Sequence, residues 1–213
     1  MFRQITPITR NIIIANVLIY LASNFLLSLR LYEIFPAYYI GSPHFDFWQI
    51  FTHMFMHAPL QSSMGIMHIL FNMVTLWSFG PVLEQTLQQQ RFSALYFLSG
   101  IGAYALNCAW SFFEISQGAD PDIINSIPMV GASGAIFGVV AAFSTLFPDA
   151  KLYFMFIPFG IKAKYLLPII IVVSLYLGFS GQMGGIAHFA HIGGAIVGYI
   201  MARSFRKNRF RIN

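Results

Sequence analysis

Apolar residues run through this chain in blocks, separated by short polar or proline-bearing segments. Six blocks reach or approach the length of a membrane span, at roughly 9–29, 62–84, 91–115, 132–147, 165–180 and 186–203. A bilayer core needs about 20 mostly apolar residues per helix, so the pattern predicts six transmembrane helices. The first block has no clear small-x-small cleavage site and is followed by further spans, which argues against a removed signal peptide. Between the first two blocks lies a long segment, roughly 30–60, rich in aromatic residues and punctuated by Pro36, Pro43 and Pro59.

Composition supports the same class. Of the 213 residues, 57% are hydrophobic and only 9% charged, against about 25% charged in an average soluble protein. One soluble core of this size cannot hide that much apolar surface. The expectation is an all-α, polytopic membrane helical bundle of six transmembrane helices, forming a single domain over residues 1–213 with short tails. Cys108 is the single cysteine. It allows no internal disulfide and no zinc-finger spacing.

Charge sets the expected orientation. The net charge is +5, and five of the twelve basic residues fall near the C-terminus: Arg203, Arg206, Lys207, Arg209 and Arg211. We read this tail as a topology signal, not a nucleic-acid surface. Six spans put both termini on one side. With that side cytoplasmic, Arg3, Arg10, Arg91, Lys151, Lys162, Lys164 and the tail all lie inside, and only Arg30 lies outside. The inverted topology would reverse that bias.

Strongly polar residues at membrane depth are costly and mark function by default. His68 and Asn72 lie in span two, Ser133 at the start of span four and His191 in span six. At about 1.5 Å per residue from the cytoplasmic ends, these four fall roughly 18–24 Å up their helices. They share one slab below the outer surface. Span four is short, and the segment before it, SQGADPDIINSIPMVGA, is polar and carries Pro121 and Pro128. Irregular backbone at depth needs a protein interior or a wet cavity around it. The expectation is an outward-facing cavity with Ser133 on its floor, at a helix N-terminus whose free N–H groups suit an oxyanion.

Spacing suggests how the helices meet. Gly134 and Gly138 lie four apart on span four, and Gly194 and Gly198 four apart on span six. Small residues at that spacing let membrane helices approach closely. His191 shares a face with Gly194 and Gly198, and Phe137 shares a face with Ser133, where it could stack on the imidazole. His68 and Asn72 share a face of span two. No Asp or Glu sits at this depth: Asp149 and Glu84 lie near the cytoplasmic ends and Glu114 near the outer one. These parts match nucleophilic acyl transfer by a Ser–His dyad without a third, acidic member.

Plainer readings stand beside these. GASG by itself is far more often a packing motif than a catalytic one. A lone membrane histidine is commonly a hydrogen-bonded structural group, and His188 is read that way, paired with His191 or the adjacent loop. His188-x-x-His191 and His53-x-x-x-His57 have metal-ligand spacing. No HExxH motif or matching acid completes a site, so no metal is expected. His53 and His57 are expected to anchor the long first loop. The apolar stripe in FWQIFTHMFMH is expected to bury its faces or lie at the interface. Glu84 is read as a helix-end residue at the cytoplasmic boundary.

GASGAIFG from Gly131 to Gly138, AHIGGAIVG from Ala190 to Gly198 and MHILFN from Met67 to Asn72 together resemble the three signature motifs of the rhomboid intramembrane serine proteases. They stand in the family's order, on the expected spans, and the resemblance covers nearly the whole chain. It implies the basic six-span bacterial form, with Ser133 as nucleophile and His191 as general base and acid. It also implies His68, Asn72 and the Ser133 N–H at the oxyanion, with Phe137 packed on the histidine. The first loop would be the family's laterally inserted element, and roughly 178–189 a mobile cap. Two positions depart from common family residues: Gln49 follows Trp48 where an arginine is usual, and Phe137 lacks the hydroxyl of a tyrosine.

The expected activity is cofactor-independent, intramembrane cleavage of single-pass transmembrane substrates, with the lipid bilayer as medium and no metal or nucleic-acid partner. The expected location is the bacterial inner membrane, with both termini cytoplasmic. The alternative is a silent rhomboid-like adaptor or chaperone that binds transmembrane helices. Such relatives typically lose the serine or the histidine, and both are present here. A small transporter would require paired internal repeats with broken helices, and no convincing repeat is seen.

Overall fold

The computed structural model describes residues 5–63, 65–153, 160–179 and 185–209. It is mostly helical. Helix α1 (Pro7–Phe25) starts behind an extended Thr6 with proline in its first turn, a position where the missing N–H costs nothing. The long first loop follows, with two short helices, α2 (Leu31–Ile34) and α3 (Gln49–Thr52). Helix α4 (Gly65–Ser116) breaks at Gln88, whose φ of 67° and ψ of 162° separate two rods, 65–87 and 89–116. The short α5 (Pro121–Ser126), then α6 (Ser133–Leu146), α7 (Leu166–Phe179) and α8 (Gly185–Arg209) complete the bundle.

Six rods are therefore described where six spans are expected. Two helices, Pro7–Phe25 and the broken Gly65–Ser116, are long and apolar enough to cross a membrane by length and composition, and two shorter apolar stretches follow. Packing gives their directions. Gly134 and Gly138 meet Ala103 and Ser99 in reverse order, so α6 runs against 89–116. Gly194 and Gly198 meet Gly134 and Gly138 in the same order, so α8 runs parallel to α6. His68 lies beside Gly131 at the start of α6, and Phe79 contacts Phe143 farther along with ring centroids 4.9 Å apart, so 65–87 runs parallel to α6 as well. The core between these rods holds Leu76, Leu83, Phe92, Leu95, Tyr96 and Val139. Outward faces are also apolar: Leu18, Phe71 and Val172 are 61%, 64% and 65% exposed. Water would penalise that surface, and lipid would not.

Glu84 lies in the last turn of 65–87, just before the break at Gln88, which agrees with the helix-end reading, and it is buried. The Glu84 carboxylate accepts hydrogen bonds from the Ile8 and Thr9 N–H groups at 2.9 and 2.8 Å and from the hydroxyls of Thr6 and Thr9. The α1 N-terminus is thus capped by another helix, where negative charge is favoured.

At the end of the bundle where α6 stops, two residues of β1 (Lys151–Leu152) pair antiparallel with β2 (Ile161–Lys162), Lys151 opposite Lys162. Lys162 donates to Asp149 at 3.1 Å, holding the exposed Asp149 carboxyl below its ordinary pKa. The expected cap, roughly 178–189, includes 180–184, which lie outside the described residues, as does Arg211.

Candidate active site

Ser133 is the first residue of α6. The preceding Ala132 supplies no side-chain cap, so the first N–H groups of the helix point out of its end. Gly131 has φ +126°, a value that side-chain-bearing residues rarely take. A Cβ placed on it would lie 3.0 Å from His68 Nε2 and 3.5 Å from Ser133 Oγ. Glycine therefore makes the turn and keeps open the space between those two polar atoms. The approach to the turn is fixed by the first loop. Ala37 and Met129 form a β-bridge, and the Gly131 N–H donates to the His53 carbonyl at 2.9 Å.

His191 comes from α8. Its Nε2 lies 2.8 Å from Ser133 Oγ, across 58 residues of sequence. Phe137, one turn along α6 from Ser133, stacks on the His191 ring with centroids 4.1 Å apart and planes 4° apart. The four glycines explain how two helices come this close. A Cβ on Gly194 would collide with the Gly134 carbonyl, and one on Gly198 with the Gly138 carbonyl. Backbone packs on backbone, as small residues permit. The other side of α6 is seated on 89–116, where Gly134 meets Ala103 and Gly138 meets Ser99.

The third contribution comes from 65–87. His68 Nδ1 accepts from the Ala58 N–H at 3.3 Å. In a neutral imidazole the proton then sits on Nε2, the atom turned toward Gly131 and Ser133. Asn72 is buried, and its Nδ2 donates to the His68 carbonyl at 2.7 Å. One of its two amide protons is so used, and the other has no partner among the described residues and can serve a ligand. His68, Asn72, Ser133, Phe137 and His191 line one cavity of about 380 Å³, whose remaining wall is apolar apart from Thr75. The arrangement can move a proton from a hydroxyl to an imidazole and offer donors to a new negative charge.

The neighbouring residues brace this site. His53 is buried with Nδ1 2.8 Å from the Gln49 carbonyl, and the His57 ring lies 5.2 Å from that of His68. Gln49 is buried too. Its Nε2 donates to the His44 carbonyl at 3.0 Å, and its Oε1 accepts from the Tyr38 N–H at 3.4 Å. A neutral amide thus ties the first loop together where the resemblance would put an arginine. The apolar stripe divides: Met54 and Met56 are fully buried, whereas Phe47 and Phe51 face outward. His188 meets His191 edge to face, centroids 5.9 Å apart. Among the described residues no three of His, Cys, Asp and Glu cluster as a metal site.

Sequence reasoning passed over several contributors. Gly131 stands in the sequence only as the first letter of its motif, with nothing to mark its backbone conformation. The Ala58 N–H and His53 carbonyl are backbone groups with no sequence signature. Ala103 and Ser99 carry no motif, and only their small size in an otherwise bulky block hints at a seat for another helix.

Comparison with known proteins identifies the family. Residues 44–208 match the Rhomboid domain. The rhomboid protease AarA of Providencia stuartii is 31% identical over 166 residues, covering 75% of this chain and 56% of the relative. Rhomboid protein 1 of Saccharomyces cerevisiae mitochondria is 34% identical over 150 residues, 68% of this chain and 40% of the relative. The rhomboid protease GluP of Bacillus subtilis is 30% identical over 159 residues, 74% of this chain and 26% of the relative. The chain thus spans between about a quarter and somewhat over half the length of these relatives. With a domain match over most of its length and these relatives, the chain belongs to the rhomboid family of integral membrane proteins.

Proposed function

We propose that this chain is an intramembrane serine endopeptidase that cuts transmembrane segments through a Ser133–His191 dyad. The observation that carries the reading is the 2.8 Å contact between Ser133 Oγ and His191 Nε2 beneath a stacked Phe137. Ser133 Oγ attacks the scissile carbonyl carbon as His191 Nε2 takes its proton. The resulting oxyanion is held by the Ser133 N–H, His68 Nε2–H and Asn72 Nδ2–H. His191 then gives its proton to the leaving amine, which departs and leaves an acyl-enzyme on Ser133. Water entering from the cavity attacks the acyl carbon as His191 takes its proton, and His191 returns that proton to Ser133 Oγ as the acid is released. No cofactor takes part.

The reading places all six rods across the bilayer with both termini cytoplasmic, in a bacterial inner membrane. The substrates are single-pass membrane proteins. A transmembrane helix must unwind before its backbone reaches Ser133, so Gly, Ala or Pro near the cut favours cleavage. Replacing those residues by Leu or Val in a substrate should slow the reaction, and an unchanged rate would remove this basis for specificity.

The deciding experiment is fluorophosphonate labelling of the purified protein in lipid, comparing wild type with Ser133→Ala and His191→Ala. Labelling of wild type alone is expected, with cleavage in either variant down by at least about 10⁴-fold. Wild-type protein that takes no label would favour a helix-binding adaptor. Label persisting in Ser133→Ala would place the nucleophile elsewhere.

A further inference from the structure

A second site lies at the other end of the bundle from the α6 N-terminus. Lys164, in the turn before α7, and Arg203 and Arg206, one turn apart on α8, line a cavity of about 380 Å³ together with Pro148 and Tyr199. All three basic side chains are exposed. Asp149 is the acid facing them, with Lys164 Nζ at 3.8 Å, but its carboxylate already receives Lys162 at 3.1 Å. That carboxylate is shared by two lysines. Among the described residues neither Arg203 nor Arg206 has an ion-pair partner. The Arg203 guanidinium donates to the Tyr199 hydroxyl at 3.1 Å, which holds it at the inner edge of the pocket.

Immediately deeper, a second cavity of about 510 Å³ runs between α7 and α8, lined by Leu167, Ile171, Val172, Ile196 and Tyr199 among others. Leu167, Pro168 and Tyr199 belong to both cavities. The two form one groove, basic at the bundle end and wholly apolar toward the bundle middle. Each side of the groove repeats that order: Lys164 before α7, then Leu167 and Ile171 on it, and Arg206 and Arg203 then Tyr199 then Ile196 on α8.

We propose that this groove binds an anionic phospholipid, its phosphodiester among Lys164, Arg203 and Arg206 and an acyl chain along Leu167, Ile171 and Ile196. Guanidinium groups pair with phosphate oxygens in a bidentate manner. Basic pockets between membrane helices are the setting in which acidic headgroups are held. A soluble anion would use the charges but leave the adjoining apolar groove without a role, which favours a lipid. The site does not depend on proteolysis.

The test places the full chain in phosphatidylcholine nanodiscs with and without phosphatidylglycerol. Lipid retained after transfer to detergent is counted by native mass spectrometry. Wild type should retain phosphatidylglycerol in preference to phosphatidylcholine. Lys164→Gln and Arg206→Gln should each weaken retention about five-fold, and Ile196→Trp, which fills the apolar groove, should also lower it. Arg10→Gln, which removes a charge from the start of α1, should leave retention unchanged. Equal retention of the two lipids, or variants that match wild type, would overturn the site. Displacement of the lipid by inorganic phosphate at the same concentration would overturn the lipid assignment and identify a free-anion pocket. Cleavage is not read, so failure of the proposed protease activity leaves this result interpretable.

Discussion

A neutral hydroxyl and a neutral imidazole can be placed in a membrane interior at far lower cost than an ion pair. In the proposed mechanism Ser133 and His191 meet that condition until reaction begins, and charge develops only when the proton moves. Donors must then already be in place, because a low-dielectric site makes each one strong and cannot supply water as a substitute. Gly131 is where this arrangement is most sensitive to a single methyl group. Gly131→Ala would strain a residue at φ +126° and put its Cβ within 3.0 Å of His68 Nε2 and 3.5 Å of Ser133 Oγ. We expect turnover to fall at least about 10²-fold, the scale of losing one oxyanion donor, with helical content unchanged. Wild-type turnover in this variant would mean that the space beside Gly131 is not where the reacting carbonyl sits.

At the scale of elements, two contacts determine whether the rods hold their places. The first is α8 against α6, where Gly194 and Gly198 lie on the backbone of Gly134 and Gly138. Gly198→Leu cannot be absorbed by a flexible neighbour, because the obstructing atoms are main chain. A loss of about 1–3 kcal/mol is expected from overpacking, read as a lower unfolding temperature in detergent. An unchanged unfolding temperature would show that α8 can shift without penalty. The second contact is Glu84 on the α1 N-terminus. Glu84→Ala removes the partner of two backbone N–H groups and two hydroxyls. It should destabilise by about 1–3 kcal/mol while leaving the residual folded protein able to label with fluorophosphonate. Loss of labelling at full stability would instead tie Glu84 to the chemistry.

For the whole molecule, the basic residues cluster at one end of the bundle, where Arg10, Lys162, Lys164, Arg203 and Arg206 lie close to helix ends. With that end in the cytoplasm, reporter fusions at either terminus should report a cytoplasmic location in a bacterial host. A periplasmic C-terminus would reject the six-span topology. The site lies toward the opposite end, so water is expected to reach Ser133 from outside.

The hydropathy blocks, the proline-rich first loop, the short fourth block and the glycine spacings can all be read along the chain. Each reflects neighbours within one or two helical turns, and local physics determines them. The motif around Ser133 could be read for the same reason, as a helix start behind glycine. What the chain order does not contain is which helix meets which. The 2.8 Å contact across 58 residues depends on how backbones pack at four glycines. The seat at Ala103 and Ser99 comes from a block without a motif. The cap supplied by Glu84 joins residues 75 and more positions apart, and the orientation of His68 rests on the backbone of Ala58. Helix formation and hydropathy are set within a segment, so the sequence alone determined the elements and the candidate residues. Contacts between segments follow from shape and close approach in three dimensions, so only the tertiary structure decided how those residues come together.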